Sequence, residues 1–540
     1  MNRTTLSRLT FLLGGIFLLW LAGPAFSLAP LAWFALVPWW RVINEQTSSW
    51  KSDLVVWFAF AIYFIVSLEG IRHAHPAMYG FWWLLAVYLA FYPFAATRLA
   101  RYLKPSFGLL VSGLVSWSAM ELLRAYALTG ISVLTLATTQ TPLPMMTQLA
   151  DIGGITLAGL PVLLLNFIGY ELFSKWRQTE VQSSRLNIVA ALLLIALSLG
   201  YSFIRTRRSE GTELASFALV QRSEAIDYGL DPARQREIFA SYAQQSIDFI
   251  NAQSEPVDAI VWPESMASGG LLWMSIADDF QVPEVLATTM SAEDFANEVQ
   301  RTQEFATNQV RAFNQAIQHE TKPHWVMGSG HQRFAKESQV HSALLHFGQE
   351  AELATKYHKR HLVMFGEYVP LIPSIPFLKE LIPPGLGVTP GESPVRFDIA
   401  NTLVDANICI ETAVERVPRR HLSAAGLPCA DILLTVTNDG WFETSNMAEH
   451  HLRIAQLVAV GNRTPILSAA NYGPTAWIDD LGIVRKRLPI GTNETLLVRP
   501  KKSTLSSPYQ VVGDWPMTIF LSSTIGYSII RNRRSLANAT

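Results

Sequence analysis

The sequence predicts an α-helical region of several membrane spans joined to an α/β domain of sandwich type. Three observations lead there. Half of the 540 residues are hydrophobic and only 16% are charged, with a positive mean hydropathy, values that suit membrane spans plus one sizeable soluble domain. Apolar segments recur through residues 1–208. From Glu213 onward, short β-rich runs alternate with polar helical stretches, the pattern of a mixed α/β fold. The formal net charge of −1 argues against a nucleic-acid binder, which would show a basic excess.

The expected spans lie near 9–27, 28–40, 54–70, 80–97, 107–124, 151–173 and 187–204, with a last one near 515–530. The chain then divides into a membrane domain over 1–208 with about seven transmembrane helices, a soluble domain over 209–512, and a final helix with a tail over 513–540. A cleaved signal peptide competes for 9–27, but further spans follow directly and no cleavage site stands out. Lys and Arg sort the loops: Arg8, Arg41, Lys51, Arg98, Arg101, Lys104, Lys175, Arg177 and Arg534 fall on one side, with little beyond Arg72 and Arg124 on the other. That asymmetry places the N-terminus and tail in the cytoplasm and residues 209–512 outside it. Arg205, Arg207 and Arg208 disagree, but they precede a long translocated domain, which is a weak vote. The Thr-rich stretch Arg124–Gln148 reads equally as a plain loop or as a membrane-surface flap.

In the soluble domain the strand candidates are 216–221, 259–264, 324–330, 342–347, 402–411, 431–439, 465–470 and 475–479, and the helix candidates are 232–254, 291–319 and 446–461. The acidic stretch 269–322 reads as an elaboration of the domain rather than its core.

Three strand ends carry reactive residues, and strand ends project side chains from a rigid sheet into a cleft. IVWPES ends on Glu264, which also reads as the start of a helix. KYHKRHLVMFGEYVP (356–370) holds Lys359 in a basic cluster followed by Glu367; the bland alternative is a solvated loop. ANICIETAV holds Cys409, with Glu411 two positions on, so that in a continuous strand both would face one cavity. Two cysteines, Cys409 and Cys429, are too few for a disulfide framework or a Cys-rich zinc site, although their separation permits one disulfide. There is no G-x-S-x-G elbow, Walker A motif or H-E-x-x-H. His358/His361 and His450/His451 lack a third ligand, so no metal is expected.

Taken in order, these motifs resemble the nitrilase (carbon–nitrogen hydrolase) superfamily, whose Glu–Lys–Cys triad matches Glu264, Lys359 and Cys409. With the spans, the resemblance narrows to the membrane-anchored apolipoprotein N-acyltransferases. WSAMELLRAYALTG (117–130), TNDGWF (437–442), RTPILSAANYGPTAWID (463–479) and GDWP (513–516) extend it along nearly the whole chain.

The resemblance implies an α–β–β–α sandwich on the periplasmic face of the bacterial inner membrane. It implies an acyl chain taken from a glycerophospholipid, held as a thioester on Cys409, and passed to the amino-terminal Cys of a diacylglyceryl lipoprotein. It assigns Glu264 as base, Lys359 as oxyanion partner and Glu367 and Glu411 as supporting carboxylates, with Asn438 and Trp441 as substrate contacts. No cofactor and a monomeric state are expected. The alternative is a membrane-tethered amidase or nitrilase that hydrolyses a small amide with the same triad. Four departures bear on substrate recognition: Met364 before Phe365-Gly366-Glu367, Ile410 after the nucleophile, no Trp in QRSEAIDYGLDP, and the 269–322 insertion.

Overall fold

The computed structural model describes residues 3–45, 50–76, 78–178, 185–207, 211–225, 231–364, 366–368, 387–442 and 445–537. Arg208, Phe365, Val369, Pro370 and the 226–230 part of QRSEAIDYGLDP lie outside the described residues.

The first part is helical: α1 (Arg3–Leu21), α2 (Ala32–Ala35), α3 (Val37–Asn44), α4 (Trp50–Ser67), α5 (Met78–Tyr126), α6 (Ala150–Ala158), α7 (Leu160–Trp176) and α8 (Arg185–Thr206). Helix covers most of every expected span, with local differences. The segment 28–40 is divided into short helical pieces, with Pro30 in the single turn Ala29–Leu31 and Pro38 in the first turn of α3. The expected spans 80–97 and 107–124 fall within α5, which breaks at Gly108, where φ is +73°. Among the described residues, α5 and α8 are each long and apolar enough to cross a membrane. The pair α6–α7, bent by 44°, makes a third if counted as one broken span.

The stretch expected as loop or flap, 124–148, is packed in place over most of its length, with Tyr126 and Leu128 exposed near its start. Its residues from Ser132 to Thr141 are largely buried. The Arg453 guanidinium donates to Thr138 O and Ala22 O, and Gln148 Nε2 donates to Leu481 O. It is the seam between the helices and the α/β domain.

The α/β domain contains β1 (Phe217–Gln221), α9 (Pro232–Asn251), β2 (Ala259–Trp262), β3 (Trp273–Ile276), α10 (Glu284–Ala287), α11 (Ala292–Ala316), β4 (His324–Phe334), β5 (Gln339–Phe347), β6 (Leu353–His358), β7 (Arg396–Ile399) and β8 (Thr402–Ile408). After these come α12 (Ile410–Ala413), α13 (Arg416–Leu422), β9 (Ile432–Thr437), α14 (Met447–Asn462), β10 (Ile466–Ala470), β11 (Ala476–Ile478), β12 (Val484–Arg487), β13 (Glu494–Val498), α15 (Pro508–Val512) and α16 (Trp515–Ala537). One sheet runs β13-β1-β2-β4-β5-β6, with β3 on β4; the other runs β12-β11-β10-β9-β8-β7. The central pairs β1–β2, β2–β4, β8–β9 and β9–β10 are parallel.

Strand periodicity explains the layers. Phe217, Leu219, Val261, Val326 and Leu344 of the first sheet meet Val404, Ala406, Ile408, Leu434 and Val436 of the second in one core. The alternate residues Ala218, Val220, Ile260, Trp262 and Trp325 pack outward on Phe239 and Tyr242 of α9 and Val310 and Phe313 of α11. Leu433, Ile466 and Ile478 pack outward on Ile454, Leu457 and Val458 of α14 and on Ile155 of α6. The order is α–β–β–α, and α6 joins the outer layer from the helical part.

Two expectations need correction. The 269–322 stretch is not peripheral throughout: the second half of α11 buries Ala306, Val310 and Phe313 in the main core. Its acidic composition describes only the solvated face of an amphipathic helix. The strands expected to reach Glu264 and Glu411 stop at Trp262 and Ile408. The sequence reading also missed β3, β6, β7, β12 and β13, which are short or strongly polar (VRKR in β12) and so carry little apolar alternation.

Candidate active site

Glu264, Lys359 and Cys409 each lie just beyond a strand, after β2, β6 and β8. Behind Glu264 the backbone of β4 approaches closely. A Cβ on Gly328 would fall on the Pro263 carbonyl and 2.6 Å from the Glu264 Cα, so only glycine fits there. Lys359 is fixed by its own backbone, its N–H donating to Ser342 O at 2.9 Å and its carbonyl accepting from Gly391 N at 2.8 Å. Cys409 sits at a sharp strand-to-helix turn with φ 53° and ψ −115°, a conformation that costs a non-glycine residue on the order of 1–3 kcal/mol. Its N–H donates to Val436 O at 2.8 Å. The turn lifts the thiol out of the sheet at the start of α12. Both cysteines are free, Cys409 partly buried and Cys429 exposed.

Lys359 is 1% exposed, and its ammonium donates to Glu264 Oε1 at 3.2 Å and to Glu367 Oε1 at 2.7 Å. Glu367 Oε2 in turn accepts from Val363 N at 2.7 Å. Burial alone would lower the Lys359 pKa, but Glu264, Cys409 and Glu367 outweigh it and raise it. The lysine therefore stays charged. Burial raises the Glu264 pKa against the opposing pull of Lys359. Burial, and then the charge of Glu264, push the Cys409 thiol up, with Lys359 opposing. A protonated thiol beside a carboxylate of raised basicity and a fixed cation is the result.

Glu411 corrects the strand-face expectation. Because β8 ends at Ile408, Glu411 does not share a strand face with Cys409; it lies in α12, fully buried. Its carboxylate accepts from Tyr357 Oη at 2.8 Å, Arg360 N at 2.7 Å, His361 N at 3.0 Å and Ile408 N at 2.7 Å. It binds the backbone around the site and does not face the thiol's cavity.

Asn438 is buried. Its side-chain Oδ1 accepts from Asn471 Nδ2 at 3.0 Å. Trp441 lies in the single turn Asp439–Phe442, partly buried. Sequence reasoning missed Thr437, Asp439 and His451, which also gather at this site; the signal was present in TNDGWF and in the His450/His451 pair. His451 Nδ1 lies 2.8 Å from Asp439 Oδ1. Among the described residues, no group of three or more His, Cys, Asp and Glu could hold a metal ion.

Residues 217–506 match the family model described as carbon–nitrogen hydrolase, which makes the sandwich a carbon–nitrogen hydrolase domain. Residues 15–168 match the model described as apolipoprotein N-acyltransferase N-terminal domain. An apolipoprotein N-acyltransferase of Rhodopirellula baltica is 35% identical over 539 residues, 94% of each chain. One from Geobacter metallireducens is 26% identical, covering 92% of this chain and 90% of its own. The chain belongs to the apolipoprotein N-acyltransferase family and is an acyltransferase. Among solved structures, an amidase from Nesterenkonia sp. is similar with a TM-score of 0.35 and 14% identity, over 58% of this chain and 96% of its own. Nit3 of Saccharomyces cerevisiae is similar with a TM-score of 0.36 and 15% identity, over 54% and 92%.

Proposed function

We propose that the chain transfers an acyl group from a glycerophospholipid to the amino-terminal amine of a diacylglyceryl-Cys lipoprotein, through a thioester on Cys409. The observation that carries this reading is the Lys359 ammonium held by Glu264 and Glu367 at the turn beside Cys409.

Glu264 takes the Cys409 proton as sulfur attacks the ester carbonyl carbon. Lys359 stabilises the tetrahedral oxyanion, a contribution typically worth ~3 kcal/mol. The C–O bond to glycerol breaks, and the departing alkoxide takes the proton from Glu264, leaving a lysophospholipid and the thioester. The lipoprotein amine then attacks the thioester carbon and gives its extra proton to Glu264. The C–S bond breaks, and the thiolate takes that proton back. Splitting the transfer makes two easier steps of one difficult one.

The whole reaction belongs at a bilayer, because drawing a sixteen-carbon chain into water costs on the order of 12 kcal/mol at ~0.8 per methylene. The helical part supports a multi-pass assignment: α8 exposes Leu186, Val189, Leu193, Leu197 and Ile204, a face suited to lipid. On the loop charges, residues 209–512 stand on the periplasmic side of the bacterial inner membrane and the tail after Arg534 returns to the cytoplasm.

The test is mass spectrometry of the purified full-length protein after incubation with phospholipid alone. The expected result is one acyl mass on the peptide containing Cys409, absent from Cys409→Ser and present in Cys429→Ser. An adduct on Cys429, or none on either with transfer activity intact, overturns the mechanism.

A further inference from the structure

The helix that follows the nucleophile carries a joint between the sandwich and the helical part. Thr412 N donates to Cys409 O at 3.2 Å and Val417 N to Val414 O at 2.8 Å. Ala413 and Val414 are buried between them, so the thiol turn, α12 and α13 form one continuous piece. Two neighbouring side chains of opposite charge leave this piece for two helices. Arg416 donates to Ala125 O and, at 2.7 Å, to Thr129 O, and its guanidinium lies 5.2 Å from the centre of the Tyr126 ring. Glu415 is buried, and its Oε1 accepts from Ile155 N at 2.6 Å. Each charge meets the helix pole that favours it. α5 ends at Tyr126, so Ala125 O is one of the carbonyls left over at a helix C-terminus, where a cation is favoured. α6 breaks at Gly153 and Gly154 and resumes at Ile155, whose N–H is a leftover donor where a carboxylate is favoured. Both contacts need glycine opposite. A Cβ on Gly130 (φ +82°) would fall on Arg416 Nη1, and one on Gly154 (φ +67°) would lie 2.6 Å from Glu415 Oε1.

We propose that Arg416 and Glu415 are positioning residues that fix the Cys409 site against the bilayer, so that acylation by a membrane lipid depends on them while the chemistry at sulfur does not. Glu411 already ties the thiol turn to the Lys359 turn inside the sandwich, accepting from Ile408 N and Arg360 N. The bonds of Arg416 and Glu415 run outward instead, to α5 and α6. Losing them leaves the geometry around sulfur in the keeping of Glu411 and frees the whole site to shift relative to the helices. On the span order proposed above, α5 ends and α16 begins on the same side of the membrane, and the joint stands at that level. Tyr126 Oη donates to Asp514 Oδ2 at 2.6 Å, which clips those two ends together beside Arg416. Arg419, one helical turn further along α13, donates to Gln510 O of α15 at 3.3 Å. The adjoining turns expose Leu128, Val511 and Trp515, side chains suited to a headgroup layer. A lipid ester is presented at a set depth, and a misplacement of about 1 Å can slow a reaction ~100-fold. A small ester dissolved in water has no such depth to match.

This inference rests on Cys409 as nucleophile and on a lipid as donor, and its test separates it from both. Acylation of the full-length protein is followed with two donors. Phosphatidylethanolamine in mixed detergent micelles is read as acyl mass on Cys409 against lipid fraction. Water-soluble p-nitrophenyl butyrate is read as the burst of p-nitrophenol. Arg416→Met is expected to lower the maximal rate with phospholipid at least about tenfold, at unchanged half-saturating lipid, and to slow the butyrate burst less than about twofold. Arg416→Lys keeps a cation but not the fork that spans two carbonyls, so it shows the same split at roughly threefold, and it carries the test where the Met variant does not accumulate. Glu415→Leu repeats Arg416→Met, whereas Glu415→Gln keeps an acceptor for Ile155 N and restores the phospholipid rate. Equal losses with both donors mean a purely structural role, and an unslowed phospholipid reaction means no role; either overturns the joint. A butyrate burst that survives Cys409→Ser overturns the nucleophile assignment, and wild-type protein acylated by butyrate but not by phospholipid overturns the lipid donor.

Discussion

The Glu411 carboxylate accepts a hydrogen bond from the Arg360 backbone N–H at 2.7 Å, and so ties the turn that carries Lys359 to the turn that carries Cys409. These turns belong to different sheets: Lys359 follows β6 of the first, and Cys409 follows β8 of the second. The sheets touch through apolar side chains, which fix their separation but grip their loops weakly. Glu411 supplies a directional link, taking backbone donors from Arg360 and His361 on one side and from Ile408 on the other. The turns of Lys359 and Cys409 are held in register through a carboxylate whose two oxygens both accept hydrogen bonds.

Glu411→Ala should therefore damage both folding and catalysis. It leaves three backbone N–H groups and the Tyr357 hydroxyl without their acceptor in a fully buried site. At about 1–3 kcal/mol for each unsatisfied group, the four together give an expected loss of at least about 4 kcal/mol, read as a lower denaturant midpoint. Glu411→Gln keeps one carbonyl acceptor and should retain more stability than alanine. Equal stability of Glu411→Ala and wild type would remove the crosslinking role.

The sequence singled out Glu264, Lys359 and Cys409 because each follows a short apolar run, and the structure places each just beyond a strand. It reached eight of the strands and the three long helices of the sandwich for the same reason, since these have clear periodicity. It misjudged Glu411 because the period-two rule holds only while the strand continues, and the positive φ at Cys409 stops it one residue too soon. The burial of 132–141 was illegible, because its partners lie far along the chain: Arg453 donates to Thr138 O across 315 residues and Trp33 to Gln140 across 107. Thr437, Asp439 and His451 were visible as residue types, but their convergence depends on how β9 and α14 pack.

The seam between the two parts offers a stability test. Asp151 of α6 and Arg463, just after α14, pair at 2.6 Å with both side chains at 0% exposure, and Arg205 of α8 also reaches Asp151 at 2.7 Å. Removing one partner of a buried pair leaves an uncompensated charge, which costs about 3–5 kcal/mol. Asp151→Ala should lower the thermal midpoint and make the protein more easily cut by protease near the seam. An unchanged midpoint would mean that water reaches Arg463.

The pH dependence of acylation follows from Glu264. Its pKa is raised from 4.5 by burial, and the base works only as the carboxylate. As pH falls through that raised value, Glu264 takes a proton and adduct formation declines. The acid limb should therefore lie above 4.5, with unit slope in the logarithm of rate against pH. Glu264→Gln should bind phospholipid and form no adduct. An acid limb below the usual carboxylate range, or one that survives in Glu264→Gln, would assign the titration to another group.

The order of events separates a transferase from a hydrolase built on the same three residues. If the thioester forms before the acceptor arrives, donor and acceptor need not occupy the site together, and initial rates against both substrates should give the parallel lines of a ping-pong scheme. Lys359→Met should abolish adduct formation through loss of oxyanion stabilisation, with Glu264 still in place as base. With wild-type protein pre-loaded by phospholipid, a diacylglyceryl peptide bearing a free amino-terminal Cys should strip the acyl group from Cys409 at least tenfold faster than buffer does. A ratio of that size corresponds to about 1.4 kcal/mol between the two transition states, small enough for a few positioned contacts to the acceptor to supply. Discharge by water at the same rate as by the peptide would leave nothing that selects an amine, and hydrolysis of a small amide would then replace transfer as the reaction of this site.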